Sequence, residues 1–558
     1  MKTLTKYQQI IKHNLGILSL IIILPLFFMV TPTSMAAPGP ELIKDINPTS
    51  QSGSSIYSLR AGSELLFFSA QTENHSDTRQ IWTSNGTSAG TLKMTDFDRS
   101  KYDIQISNNS YQVVNNIYFF SIRRWSDNVY ELWRSDGTSV GTFKLTDLPS
   151  YLDNRFQATG AGGLYYFVPW DDENYGRELW SSDGTVAGTG MVKDINPGTG
   201  SSSPHNLMEV NGALYFLSGD DLWVSDGTSS GTRLVANFEG GLYRDMRLIT
   251  KVNNVIYLAY LSGESIPYQL WRHDTNSGQT VLIKHFSGLL SDTTSYTAVS
   301  DMLYFIAKGS EAEAYDLWKS DGTPDGTVIV KALNETNPGY TGWNLSNFNG
   351  TLLFRARDAE HGIELWKSDG TATGTFMVKD VAEGDTNSRL SCFTAVGDKL
   401  FFVKTLLYSI GGDLWVSDGT EAGTIDLDIG ARQDICPVNF NGQLHFYGSD
   451  RSTKDYGSEL YKYSFTDIIP TAPVISVTTN GTKVNISWRG IANAEGYTLL
   501  YAPYPYTGPE SIGSIEIGNM TVLSEELWNG ASFYVAVQSY RSDSVSEYSN
   551  VMLFTIGQ

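Results

Sequence analysis

Short apolar runs of one kind recur along the chain at a nearly constant distance. They read ELLFF (64–68), NIYFF (116–120), GLYYF (163–167), ALYFL (213–217), NVIYL (254–258), MLYFI (302–306), TLLFR (351–355), KLFFV (399–403) and QLHFY (443–447). None has helical spacing, all are rich in aromatic and branched residues, and turn residues bound each of them, which predicts strands. Each run follows a shorter strand candidate and a tight turn, with Asn-Gly at 211–212, 349–350 and 441–442 as the hairpin signal. A loop of changing length comes next, then an acid-Leu-Trp strand, an SDGT-containing connection and a last strand such as Thr189–Ile195. The pattern predicts units of four short strands.

The connection repeats almost word for word: ELWRSDGTSVGT at 131–142 and ELWSSDGTVAGT at 178–189. Its tryptophans are Trp82, Trp133, Trp180, Trp223, Trp271, Trp318, Trp366 and Trp415, with Tyr461 in the ninth copy. From Trp82 to Tyr461 is 379 residues over eight intervals, about 47 per unit, close to the period of propeller blades. A sheet this small cannot bury its faces alone, so neighbouring units must stack. The ninth unit stops at Glu459-Leu-Tyr-Lys-Tyr463, whereas Glu41-Leu-Ile-Lys-Asp-Ile46 matches the last strand of the third unit, Met191-Val-Lys-Asp-Ile195. The expectation is an all-β chain: a closed β-propeller of about nine four-stranded blades over 41–463, its N-terminal strand completing the last blade. Nine exceeds the usual four to eight.

The recurring acid of the turn is Asp136, Asp183, Asp226, Asp274, Asp321, Asp369 or Asp418, with Asn85 in the first unit. Glycine follows in seven of the eight copies, Thr275 being the exception, and suits a positive φ. Either Asp or Asn caps a turn by accepting amide hydrogen bonds, but Asn cannot replace a general base, so the reading is structural. Calcium is the secondary reading at these acids; no other cofactor is expected. The regularity of the tryptophans favours packing between sheets over a set of exposed sugar platforms. The residue two before each tryptophan is Glu131, Glu178, Glu364, Asp221, Asp316 or Asp413, but Gln80 and Gln269 in two units, which again fits support better than chemistry.

Function more often sits where copies differ. The loops SIRRWSDNVY (121–130), PWDDENYG (169–176), RARDAEHG (355–362) and GSDRSTKDYG (448–457) vary most. Arg123, Arg124, Trp125, Trp170, Asp171, Asp172 and Glu173 form the candidate ligand-binding loops, an aromatic surface with clustered charge suited to a glycan or a divalent cation. Asp171-Asp172-Glu173 lacks the alternating ligand pattern of an EF-hand. The two cysteines, Cys392 and Cys436, each lie eight residues before the strand-two Leu of their units, Leu400 and Leu444. These equivalent positions leave an inter-unit disulfide and two buried thiols as the alternatives. HExxH, GxSxG, a phosphate-binding Gly-rich loop and CxxC are all absent from the sequence, and catalytic residues are not assigned.

Composition bounds the compartment. The first 14 residues carry Lys2, Lys6 and Lys12 without an acid, Leu15–Val30 is apolar, and Ser34-Met35-Ala36 supplies small residues for cleavage. Residues 1–36 are expected to be a secretory signal peptide. The apolar run is short for a membrane span. The formal charge of -21 becomes -24 without the leader, which makes nucleic acid and anionic lipid poor partners. The period ends after Tyr461. A Pro-bearing linker (464–473) leads to 474–558, whose strand candidates VISVTT, KVNISW, GYTLLYA, SIEIG, FYVAVQSY and NVMLFTI have the length of one β-sandwich, with Trp488 and Tyr534 as anchors.

The phrases ELWRSDGTSVGT, ELWSSDGTVAGT, DLWKSDGTPDGT, ELWKSDGTATGT and DLWVSDGTEAGT resemble the bacterial ELWxxDGT repeat family. NISWRGIANAEGYTLLY and FYVAVQSYRSDSVSEYSN resemble a fibronectin type III domain. The resemblance implies a secreted, extracellular or cell-surface bacterial protein, with the periplasm as the alternative, and brings no catalytic residues. The expected function is non-catalytic binding or adhesion on the propeller scaffold, with an extracellular glycan or surface protein as partner. A secreted polymer-degrading hydrolase or lyase with a site assembled from several blades, and a structural envelope component, are the alternatives.

Overall fold

The run Leu66–Ala70 is buried at every position, so its strand must be covered on both faces. That requirement governs the architecture of the computed structural model. It describes residues 40–48, 53–71, 79–104, 111–148, 158–170, 174–238, 245–261, 268–289, 295–309, 314–335, 343–358, 360–384, 386–405, 411–421, 423–432, 434–450, 458–463, 472–488, 490–491, 494–541, 544–546 and 548–557. The expected leader at 1–36 and most of the expected linker, 464–471, lie outside the described residues.

The described residues form antiparallel sheets joined along the chain. The third unit shows the plan, with strands Thr159–Ala161, Leu164–Phe167, Leu179–Ser182 and Thr189–Lys193 in that order. Between its third and fourth strands the register slips once: Leu179 pairs with Lys193, but Trp180 pairs with Met191. The bulge turns Val192 into the core, and the same slip between Leu and Trp recurs at Leu222/Trp223, Leu270/Trp271 and Leu365/Trp366.

Apolar clusters bridge consecutive units. One joins Val114, Phe119 and Leu132 of the second unit to Tyr165 and Trp180 of the third. Another joins Val210, Leu222 and Tyr215 of the fourth to Leu258 and Trp271 of the fifth. In most units the tryptophan lies against an aromatic ring of its own second strand: Phe68–Trp82, Phe120–Trp133, Phe216–Trp223, Phe305–Trp318 and Phe402–Trp415 have centroids 6.2–6.5 Å apart. Tyr461 takes this place against Phe446 at 5.8 Å.

The expected closed propeller of about nine separate four-stranded blades is not what the sheets form. Among the described residues no sheet is closed into a barrel or propeller, and the fold they form is all-β with many small open sheets. The eighth and ninth units depart furthest from the expectation. Their strands belong to one eight-stranded sheet, because Ile429, Gly430 and Ala431 pair with Asp450, Ser449 and Gly448. Two glycines allow this approach: a Cβ on Gly448 would stand 2.0 Å from the Gly430 carbonyl oxygen. The strand Glu41–Lys44 lies at one edge of the same sheet and pairs with Glu459–Tyr463. Cys392 and Cys436, one in each unit, are joined in a disulfide with Cα atoms 5.0 Å apart.

The C-terminal segment forms two sheets, one of Ile475–Asn480, Lys483–Trp488 and Val522–Glu526, the other centred on Gly496–Pro503 and Ser532–Arg541. Trp488 of the first meets Tyr497 of the second edge-on at 5.3 Å, so the sheets face each other across a core. Tyr534 is only half-buried and pairs with the exposed Tyr504, whereas Phe533, Val535 and Val537 point inward.

Gly448→Ala is expected to lower the stability of the repeat body by about 3 kcal/mol, because the added methyl collides with backbone. Gly190→Ala, with nothing within 4 Å of the added carbon, is expected to leave it nearly unchanged. Urea midpoints of the two variants check this.

Candidate functional site

The SDGTxxGT connection is a self-contained hydrogen-bond circuit. In the third unit the Asp183 carboxylate accepts from the Thr185 amide at 2.8 Å and from the Thr185 hydroxyl at 2.7 Å. The Gly188 amide donates to Thr185 Oγ1 at 2.9 Å, and Thr189 Oγ1 donates to the Thr185 carbonyl at 2.6 Å. Ser182 Oγ and Thr189 Oγ1 lie 2.7 Å apart and the Gly184 amide donates to Ser182, so the hydroxyl pair closes the turn. Gly184 has φ +87°, and a Cβ on Gly188 would meet the Asp183 carboxylate at 2.2 Å, so both glycines are required. Asn85 makes the same contacts with Thr87 at 3.0 and 2.7 Å.

Asp136, Asp226, Asp321, Asp369 and Asp418 sit in equivalent turns, each accepting from a threonine amide and hydroxyl. The fifth unit differs: His273 replaces the serine, its Nδ1 2.9 Å from Thr280 Oγ1, and Asp274 accepts from the amides of Asn276 and Ser277. Thr275 needs no positive φ there because Gly278 takes it, at +72°. The Thr185, Thr228, Thr323 and Thr371 hydroxyls and amides hold Asp183, Asp226, Asp321 and Asp369 below the usual carboxylate range.

The acid before Leu-Trp does a second job. Glu178 is fully buried and accepts from the Ile195 amide at 3.0 Å, the Ser202 amide at 2.9 Å and the Ser202 hydroxyl at 2.5 Å. Glu364 accepts from the amides of Val381 and Ser388, Asp316 from that of Leu333, and Gln80 from that of Phe97. Each satisfies a backbone amide 17 residues on: those of Ile195, Val381 and Phe97 lie beyond the fourth strand, and that of Leu333 lies within it at a second register slip. A glutamine oxygen serves as well, which explains the substitution.

Contacts between units also fall on residues that the repeat reading left unassigned. Lys193 Nζ donates to the Thr232 carbonyl at 2.7 Å, Lys284 to that of Thr327 at 3.1 Å, and Lys44 to that of Thr91 at 2.9 Å. Lys319 and Lys367 reach the carbonyls of Gly370 and Gly419 in the next turn at 2.9 and 2.8 Å. The lysine before Asp in Ile43-Lys44-Asp45, Val192-Lys193-Asp194 and Val378-Lys379-Asp380 was the signal that could have found the contacts of Lys44 and Lys193.

Of the candidate ligand loops, Asp171, Asp172 and Glu173 lie outside the described residues. Arg124 is engaged internally: it pairs with Asp127 at 2.9 Å and with the buried Glu131, and Lys144 lies 3.7 Å from the same carboxylate. The Asp127 hydrogen bond, with the Glu131, Asp127 and Asp147 carboxylates, raises the guanidinium further above its ordinary value. Arg123 instead lies over the Trp125 ring at 4.5 Å, with Tyr130 at 5.9 Å, and its Nε donates to Asn128. Trp125 is 44% exposed. Trp170 stacks with a different arginine, Arg177, at 3.5 Å, so the two loops form two separate aromatic–arginine pairs.

No family model matches the chain, and no curated protein matches it. The expected membership in the ELWxxDGT repeat family is therefore not supported, and neither is the fibronectin type III assignment by that route; the phrase stands as an internal repeat. Similar solved structures include a prolyl endopeptidase, at 13% identity over 63% of this chain and 55% of its own with TM-score 0.36. A fibronectin type III domain of human collagen alpha-1(XX) is 22% identical over 16% of this chain and 84% of its own, with TM-score 0.14. The FN5 domain of Drosophila Lar is 13% identical over 16% and 99%, with TM-score 0.15. Likenesses at these scores assign neither fold nor activity. Without a closed propeller, the expected binding or adhesion scaffold and the hydrolase or lyase built across blades lose their geometric basis.

Asp183→Ala is expected to cost about 1 kcal/mol through the lost turn hydrogen bonds, whereas Asp183→Asn stays within about 0.5 kcal/mol. Lowered carboxyl values give stability that is present above the unfolded-state range and lost as pH falls through the native values. Wild-type urea midpoints are therefore expected to drop between pH 5 and pH 3.

Proposed function

We propose that the chain is an exported all-β protein that acts in an oxidising, extracytoplasmic compartment and meets an extracellular glycan or surface protein through non-repeated loops. The observation that carries the reading is the pairing of its only two cysteines, Cys392 and Cys436. The leader-like segment 1–36 supports it, and no helix among the described residues is long and apolar enough to cross a membrane. The strong negative charge disfavours phosphate-rich partners.

The loop at Trp125 is the favoured contact point. Its indole is exposed while Arg123 and Asn128 hold the neighbouring side chains in place, which lowers the entropy lost on binding. The repeated carboxylates are tied to backbone amides instead.

Expression of the whole chain with a working export system is expected to yield an extracytoplasmic product lacking residues 1–36, which gains the mass of two hydrogens on reduction. A cytoplasmic product with two free thiols would overturn the reading. In a glycan-array and cell-binding assay, Trp125→Ala is expected to weaken retention by roughly tenfold or more without moving the thermal midpoint. Unchanged retention removes this loop from the reading.

A further inference from the structure

The two ends of the repeat region meet at the ninth unit, where Glu41–Lys44 pairs with Glu459–Tyr463. Glu459, fully buried, occupies the position of Glu178, but its amide donor comes from the far end of the chain: the Ile46 amide lies 3.2 Å from its carboxylate. The third unit gives Glu178 the Ser202 amide and hydroxyl as well. At the junction the Ser54 amide donates to the Ser458 carbonyl at 3.1 Å, as the Ser388 amide does to the Ile363 carbonyl in the seventh unit, and Gly53 bridges to Ser458. Glu459 Oε1 and Asp45 Oδ1 are buried without a well-formed hydrogen bond, as Asp194 Oδ1 and Asp380 Oδ1 are in the third and seventh units. Glu131 has Arg124 and Lys144 beside it, whereas no cation among the described residues forms an ion pair with Glu459.

We propose that this junction is an acid-tightened latch: the strand Glu41–Lys44 and the turn after it stay docked on Glu459–Tyr463 in acid and loosen as pH rises past neutrality, with Glu459 as the titrating group. Burial pushes its carboxyl up to about 7, the Asp45 carboxylate adding to the rise against the Ser54 hydroxyl and the Ile46 and Asn47 amides. On the two paired strands, Lys44 donates to the Thr91 carbonyl at 2.9 Å and Lys462 pairs with Glu41 at 3.1 Å. Arg432 pairs with Asp434 at 2.7 Å and lies over Tyr447, and Arg79 lies over Tyr57. A protonated Glu459 can also donate, and the buried Asp45 Oδ1 is an acceptor without a well-formed partner.

The sign follows from the burial. A carboxyl held above its solvent value of 4.5 favours docking fully below that value and loses the advantage as pH rises through about 7. The opening constant of the segment is then expected to rise about 70-fold between pH 5 and pH 8.

Hydrogen exchange of the whole mature chain, read on peptide 40–48 and corrected for intrinsic rates, tests this, with peptide 205–210 expected to stay flat. Glu459→Gln, which keeps an acceptor for the Ile46 amide, is expected to hold peptide 40–48 protected at all pH values. Asp45→Asn is expected to keep the pH dependence and lower its midpoint. A flat wild-type profile, or a Glu459→Gln variant that titrates like wild type, overturns the proposal. Should that variant not fold, an Asp45→Asn midpoint that does not move overturns it instead.

Discussion

A sheet of four short strands whose second strand is apolar on both faces has no stable existence alone, and everything else in the repeat body follows from covering it. The cover is the neighbouring unit, and the tryptophan and its partner ring are the largest pieces of it. A buried aromatic of this size contributes about 4–6 kcal/mol of gross apolar burial, before chain entropy is subtracted. No other repeated contact comes near that. The ring therefore recurs while its neighbours vary, and Tyr461 can stand in for it at a site where Phe446 still provides the stacking surface.

Burying so much apolar surface between short strands strands polar backbone groups at the ends, and the polar part of the repeat answers this need. Asp183 and its counterparts saturate the turn, and Glu178 and its counterparts collect amides that the bulged fourth strand leaves without a ladder partner. Lysines then carry the connection across units by donating to turn carbonyls next door. Each of these roles needs an acceptor or a donor and not a particular acid strength, so Asn85 and Gln80 serve where Asp or Glu is usual.

The period, the second strand and the turn were legible in the sequence because each depends on residues close together in the chain. Gly184 and Gly188 read directly as a turn, and Trp180 as a packing residue, since local geometry alone requires them. What depends on distant neighbours was not legible. RARDAEHG and GSDRSTKDYG read as loops, yet Arg355–Asp358 and Gly448–Asp450 continue their strands. The second continuation meets Gly430 from the preceding unit and fuses two sheets, a pairing set by two glycines that carry no pattern of their own. Arg124 looked like part of a binding loop because its acid partner, Glu131, lies seven residues away and is hidden from solvent.

The fused sheet, the disulfide and the terminal strand pairing all fall in the eighth and ninth units, and chain entropy gives a reason for that concentration. Most units form from segments joined by a turn or a short loop. The ninth borrows its edge from the strand at the other end of the repeat region, and closing a separation of about 400 residues costs about 5 kcal/mol beyond the constant term. The few hydrogen bonds between Glu41–Lys44 and Glu459–Tyr463 offset only part of this cost. Tying the ninth unit covalently and by main-chain pairing to the eighth fixes the surface on which the terminal strand lands, so that ordering the receiving unit is no longer added to the cost of bringing the strand to it. Apolar contacts then finish the join, with Ile43, Ile56 and Trp82 from one end of the repeat region packed against Ile435, Phe440 and Tyr447 from the other. Reinforcement is therefore greatest where the sequence separation is longest.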